Sequence, residues 1–294
     1  MTEAIVSMND VTKQFGSHIV LDGVNLSIRP GTVTGLLGRN GAGKSTLLKC
    51  ALGIQRPQSG MITTLGESAE RLSATAKARL GYVPQDINLY AWMKVYQIIA
   101  YTKAFYPRWN DQLANHLLDT WQLDRHQRTG TLSTGQTQSL AIILALGHEP
   151  DLLVLDEPVA SLDPSARRQF LATLLDVAVS GERTILFSTH ITSDIERVAD
   201  QIAVLQDGRV TWNDELSALK ETVKRLRIRT TGILPDDIRK LPGLLSCTAS
   251  GNGAMVSVRD FHPQLPQQLR DQWQADVDVE DLNLEEIFLE LHHV

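Results

Sequence analysis

The chain has 294 residues, 43% of them hydrophobic, with 28 Lys+Arg against 34 Asp+Glu and a formal net charge of −6. That length has room for about two globular domains, and the acidic balance supplies no basic field for nucleic acid. Two cysteines, Cys50 and Cys247, stand far apart without metal-ligand spacing, as expected of small apolar residues in a reducing compartment.

No apolar run approaches the roughly 20 residues needed to cross a bilayer. Met1-Thr2-Glu3-Ala4 offers neither a basic region nor an apolar signal stretch. The chain is therefore expected to be soluble and cytoplasmic, and to reach a membrane only through a partner.

In chain order, residues 4–33 read as strands. Ile5-Val6-Ser7-Met8 precedes an Asn9-Asp10 turn, and alternating stretches at 19–21 and 24–28 lead to the Pro30-Gly31 turn. Phe15 sits beside Gly16, placed either to stack on a base or to fill a hairpin core. Val33–Leu37 reads as a buried strand that runs into Gly38-Arg39-Asn40-Gly41-Ala42-Gly43-Lys44-Ser45-Thr46. This run fits the phosphate-loop pattern G-x-x-x-x-G-K-[ST] at every fixed position, with a strand before it and a helix after it.

The physical reason for that pattern is anion binding. The glycines allow backbone N–H groups to curl around phosphate, and the helix that follows adds its unpaired N–H groups and positive dipole end. Lys44 would bridge the β- and γ-phosphates, and the Ser45 hydroxyl would ligate Mg²⁺. The chain is expected to bind a nucleoside triphosphate.

A helix is expected at about 69–79, followed by Gly81-Tyr82-Val83-Pro84-Gln85, where the Gln85 amide has an oxygen for Mg²⁺ and a donor for water. From 87 to about 129 the pattern turns helical and concentrates Tyr90, Trp92, Tyr96, Tyr101, Phe105, Tyr106, Trp109 and Trp121. Such a cluster is either a compact helical core or a docking surface. Ser133, in Leu132-Ser133-Thr134-Gly135-Gln136, stands where a helix N-cap belongs and offers a second helix end to an anion.

Leu152–Leu155 is an apolar run suited to a strand buried on both faces, and it ends in Asp156-Glu157. Asp156 would hold Mg²⁺ through water, and Glu157 would polarise a water aimed at the γ-phosphate. A second buried strand, Thr184–Thr189, ends in His190. Ligands of open parallel sheets gather at this carboxyl edge. Residues 201–212 read as a hairpin.

Together these motifs closely resemble the nucleotide-binding subunit of ATP-binding cassette (ABC) transporters over residues 3–214, with six motifs in the family's order. The resemblance implies that Phe15 stacks on the base, Gly38–Thr46 is the phosphate loop, and Gln85 links the site to a membrane partner. Leu132–Gln136 matches the signature motif, including Ser133, Gly135 and Gln136. Asp156 matches the metal-site aspartate, Glu157 the catalytic glutamate and His190 the switch histidine. Ser161-Leu162-Asp163 matches the loop that crosses between subunits.

The fold so implied is α/β: a P-loop NTPase core with an antiparallel β part and an inserted helical subdomain at about 87–150. Two cassettes would pair head to tail around two ATP molecules, with Mg²⁺, beneath integral membrane permease subunits at the inner face of the cell membrane. The second cassette would be an identical chain or a paralogue. The sequence departs from the family's pattern at Thr134, where glycine is usual, and at Ser139, where arginine is common. Thr134 limits the local backbone, and a slower ATPase is expected.

Residues 215–294 read as βαββαβ plus a helix: a small ferredoxin-like α+β domain without a catalytic constellation. Its helices are expected at Leu234–Leu241, Pro263–Gln272 and Leu284–Leu291. The closing Asp281–Phe288 stretch resembles the end of members that serve exporters. ATP hydrolysis driving export is the leading expectation. An importer subunit, a soluble relative acting on ribosomes or DNA, and a nucleotide-gated module without turnover are the alternatives.

Overall fold

The structure, a computed structural model, describes residues 3–159, 162–179 and 183–292. They form two compact units, Met1–Asn213 and Asp214–Val294.

The first unit opens with an antiparallel pair, β1 (Val6–Phe15) and β2 (His18–Ile28). It continues through β3 (Val33–Leu37), α1 (Lys44–Ala51), β4 (Ser59–Thr64), β5 (Glu67–Ser68), α2 (Ala74–Lys77) and β6 (Leu80–Val83). Helices α3 (Val95–Lys103), α4 (Asp111–Thr120) and α5 (Thr134–Leu146) follow. The unit closes with β7 (Leu152–Asp156), α6 (Pro164–Val179), β8 (Thr184–Thr189), α7 (Thr192–Val198), β9 (Gln201–Gln206) and β10 (Arg209–Glu215).

Two sheets result, with strand orders β2-β1-β4-β5 and β10-β9-β3-β8-β7-β6. In the second, β9, β3, β8, β7 and β6 run parallel to one another. Strands β3, β7 and β8 are buried at every position, as their largely apolar sequences suit in strands covered on both faces. Because these strands run parallel, the residues following β3, β6, β7 and β8 all emerge at one carboxyl edge.

Helix α1 lies between the two sheets. Its Leu47, Leu48, Cys50 and Ala51 join one core with Val6, Met8 and Ile28 of the antiparallel sheet and Leu36 and Val154 of the parallel one. Burying Leu47 and Leu48 fixes the helix by about 1.5–3 kcal/mol each. The N-terminus of α1 is thereby held against the carboxyl edge of β3.

Two local expectations are corrected. Asn9-Asp10 is not a turn: β1 runs through it, paired on both sides, with register shifts there and Asp10 at φ 50°. The extra residue is absorbed as a β-bulge, and the Asp10 N–H donates to Asn25 Oδ1 at 3.1 Å. The helix expected over 69–79 is broken at Leu72, whose backbone is extended (ψ 129°). Ser73 then restarts a short helix by accepting the Ala76 N–H. Of the aromatic cluster, for which core and docking surface were both open, Tyr90, Trp92, Tyr96, Tyr101 and Phe105 are exposed, whereas Tyr106, Trp109 and Trp121 are partly buried.

The second unit contains α8 (Leu216–Thr222), β11 (Lys224–Thr230), β12 (Leu244–Ser250), β13 (Gly253–Val258), α9 (Leu265–Trp273), β14 (Ala275–Asp281) and α10 (Leu284–His292). Its antiparallel order is β12-β13-β11-β14, the split βαβ arrangement. The first crossover is a five-residue 3₁₀ turn, Asp236–Lys240, in place of the expected helix over 234–241. Pro235 starts that turn, and Pro242 disfavours helical backbone at Leu241. Leu226, Ile228, Val256, Val258 and Val277 form the buried face with Leu265 and Leu269 of α9. Among the described residues, no helix is long and apolar enough to cross a membrane.

Candidate nucleotide site

The loop between β3 and α1 is shaped by glycine. Gly43 sits at φ 102°, and a Cβ there would lie 2.9 Å from the Val20 carbonyl; at Gly38 a Cβ would lie 2.7 Å from the Leu205 carbonyl. Gly43 is the N-cap of α1 and has no side chain to cap it, so the first helical N–H groups are left for an external acceptor.

Lys44 opens the helix but turns back into the loop. Its Nζ donates to the carbonyls of Gly38 (2.8 Å) and Arg39 (3.3 Å) and lies 3.0 Å from Glu157 Oε1. The Lys44 and Glu157 side chains are each only 6% exposed. The other carboxylate oxygen, Oε2, is 2.9 Å from His190 Nδ1. Lys44 meets Oε1 as an ion pair without an aligned hydrogen bond, which leaves a buried carboxylate oxygen with accepting capacity. That is what a group that orients a water needs. Glu157 itself adopts φ 49°, a left-handed backbone that is unusual without glycine.

A cavity of about 440 Å³ is lined by Val20, Asn40, Gly41, Gly43, Lys44, Ser45, Thr46, Gln85, Glu157 and His190. The expected phosphate loop, Gln85, Glu157 and His190 therefore meet at one place. Of the loop's other members, Gly38 and Arg39 contribute the carbonyls that hold Lys44, and Ala42 packs against the core.

Asp156 is 1% exposed and accepts a 2.7 Å hydrogen bond from the Ser188 hydroxyl, which in turn accepts the Glu157 N–H at 2.9 Å. Burial, and then the Asp156 charge, push the Tyr82 hydroxyl up to about 12. The Ser45 hydroxyl and Gln85 amide line the cavity, and Asp156 is not among its lining residues; the oxygen donors of these three are of the kind that suits a hard cation such as Mg²⁺. Ser188 was not legible as a site residue: nothing in Phe187-Ser188-Thr189 marks it until β7 and β8 pair.

Ser133, Gly135, Gln136 and Asp163 are likewise not among the residues that line this cavity. Ser133 caps α5 in a reciprocal box: its Oγ accepts the Gln136 N–H at 3.2 Å and its N–H donates to Gln136 Oε1 at 3.0 Å. Gly135 follows inside α5; a Cβ there would meet only Leu162 Cδ2, at 3.5 Å. Asp163 Oδ1 accepts the N–H groups of Ala166 and Ser165, which hold its carboxyl below the usual range. Ser161 lies outside the described residues.

Thr134 occupies the first position of α5 and has no positive φ, so its branched side chain meets no glycine-only backbone. Phe15 is 50% exposed, with Lys13 Nζ 4.9 Å from its ring centroid. It is not hairpin core, and it is not among the residues lining the cavity. The exposed aromatics form a chain of contacts: Trp92 to Tyr90 at 6.2 Å, Tyr90 to Tyr101 at 5.7 Å and Tyr101 to Phe105 at 5.1 Å.

The sequence profile of the ABC transporter family matches residues 21–160. Nod factor export ATP-binding protein I of Cupriavidus metallidurans is 32% identical over 252 residues, spanning 77% of this chain and 83% of that protein. An uncharacterized ABC transporter ATP-binding protein of Bacillus subtilis, YxlF, is 32% identical over 74% of this chain and 73% of its own length. Among solved structures, the ATP-binding subunit of an ABC transporter superposes with a TM-score of 0.67 at 27% identity, covering 74% of this chain and 92% of that one. The dimeric bacterial cassette MJ0796, at 23% identity and TM-score 0.65, shares the fold.

The chain belongs to the ABC transporter ATP-binding proteins, ATPases that couple ATP hydrolysis to transport. Members work with membrane permease subunits and as dimers.

Proposed function

We propose that residues 1–214 are the ATP-binding domain, and 215–294 an accessory domain, of one ATPase subunit of an exporter. The observation that carries this reading is the buried Lys44–Glu157 pair, with the exposed His190 ring against it, at the wall of the phosphate-loop cavity. Export is favoured over import by the relatives named for Nod factor export. The chain would act at the inner face of the membrane, held there by integral permease subunits.

In this reading Lys44 leaves the Gly38 carbonyl for the β- and γ-phosphates, and the N–H groups of residues 41–46 cradle them. Glu157 takes a hydrogen bond from the attacking water and aligns it with the γ-phosphate. His190 fixes the carboxylate through Nδ1. Ser45, Gln85 and Asp156 would hold Mg²⁺, which would supply positive charge against the phosphate oxygens. Phe15 stacks on the base.

Ser133, Gly135 and Gln136, which are not among the residues lining the chain's own cavity, complete the site of a second ATP-binding subunit. Asp163 crosses at the same interface. The exposed aromatics from Tyr90 to Phe105 form the surface that meets the permease, so closure over ATP is passed on to it.

Complementation tests the shared site. Lys44→Ala and Ser133→Arg chains should each be inactive alone, because each spoils both sites of its own dimer. Mixed, they should regain turnover from the one intact site. No recovery on mixing would contradict the head-to-tail assignment.

A further inference from the structure

We infer that Ser188 is a positioning residue for ATP hydrolysis, acting through Glu157 and Asp156. The inference rests on the roles given to those two acids above.

Ser188 lies in the middle of the parallel sheet, between Leu36 of β3 and Asp156 of β7, and is fully buried. Its hydroxyl has one proton, and that proton is committed to Asp156 Oδ1 at 2.7 Å. A lone pair is thereby turned to the Glu157 N–H, 2.9 Å away. One side chain thus fixes the carboxylate of the first acid and the backbone of the second.

The backbone bond matters because Glu157 is where the chain leaves β7. At φ 49° it departs from strand geometry, into a region that L-residues with long side chains rarely adopt. In this conformation the Glu157 carboxylate reaches Lys44 and His190. Once the Ser188 bond is lost, the N–H is buried and unsatisfied, and the residue relaxes toward extended backbone. Its carboxylate then swings off the water. His190 stands two residues beyond Ser188 on the same chain, so one strand end supplies both the anchor of Glu157 and its side-chain partner.

The phosphate loop takes no part in this bond. Ser188 lies outside the cavity wall, so phosphate binding and water alignment separate at this residue.

The test uses the full chain with Ser188→Ala, Ser188→Thr and Glu157→Gln. For Ser188→Ala we expect kcat to fall about 10- to 100-fold, the range for a misplaced reacting group. The affinity for a fluorescent ADP, measured without Mg²⁺ so that Asp156 takes no part, should stay within about twofold, since it is set by the loop. Ser188→Thr keeps the hydroxyl and suits a strand, and it should restore kcat to within about threefold.

The inference is overturned if Ser188→Ala keeps kcat within about twofold, or loses ADP affinity in step with kcat. It is also overturned if Ser188→Thr melts no lower than Ser188→Ala yet recovers nothing. Glu157→Gln separates the two levels. If it abolishes turnover while Ser188→Ala does not, only the role of Ser188 fails; if it leaves turnover intact, the role of Glu157 fails with it.

Discussion

Lys44 and Glu157 meet at 3.0 Å, both side chains almost wholly buried, although one opens α1 and the other follows β7. The pair forms because β3 and β7 flank β8 in one parallel sheet, so the loop after β3 and the acids after β7 share an edge. A buried ion pair is sound only while both partners remain; removing one costs about 3–5 kcal/mol. Each partner therefore holds the other where the phosphates will lie.

Glu157→Gln is expected to cut ATP turnover at least about 100-fold while the chain still binds ATP, because the loop contacts persist and only the group that aligns water is lost. Lys44→Ala should instead lose nucleotide affinity. Parallel turnover and equilibrium binding measurements separate the two. Equal loss of affinity in both variants would contradict the division of roles.

Thr134 offers a test of backbone against side chain. Its backbone is helical, so any slowing of turnover comes from the side-chain bulk beside the N-terminus of α5. Thr134→Ala and Thr134→Gly should accordingly raise turnover of the assembled complex equally. A gain with glycine alone would mean that backbone freedom matters after all, and no change with either would make the departure neutral.

The cysteines should differ sharply in reactivity. Burial pushes the Cys50 thiol up to about 11, and Cys50 is 1% exposed whereas Cys247 is half-buried. The thiolate is the reactive form. At neutral pH a thiol reagent should label Cys247 alone in the native chain, and both cysteines in denaturant. Labelling of Cys50 as fast as Cys247 without denaturant would show that the α1 core opens.

Acid should weaken the second unit through Glu290. Burial pushes its carboxyl up, but donors from Ser246, Arg225 and Ser257 outweigh that and hold it below its ordinary value of 4.5. A depressed carboxylate adds stability that is complete above about pH 4.5 and is lost as pH falls further. Arg225 reaches Glu290 at 3.0 Å and Glu286 at 3.2 Å, so Glu290→Gln leaves the arginine one partner. Urea unfolding at pH 7 should show the variant weaker by about 1–3 kcal/mol. The gap should close as the pH drops below the carboxylate range. A gap independent of pH would contradict this.

Much of the site was readable in the sequence because its chemistry lies in contiguous runs. The loop Gly38–Thr46, Asp156-Glu157 after four apolar residues, and His190 at the end of β8 each carry their own local signal. So do the fully buried strands. Elements whose outcome depends on distant partners were less readable. Asn9-Asp10 reads as a turn locally, yet β2 and β4 pair β1 on both sides and turn it into a bulge. The aromatics of 90–105 looked equally suited to core or surface, because periodicity does not say which face another element covers. Ser188 carries no motif of its own; its two partners come from the neighbouring strand end.

The central claim, an ATPase subunit working beneath a membrane permease, is tested most directly by capturing tagged Glu157→Gln chain with ATP from gently solubilised membranes and identifying the co-purifying chains by mass. Recovery of a polytopic membrane protein in a near-equal ratio is the predicted result. Recovery of the chain alone, or of ribosomal or DNA-repair proteins, would contradict it.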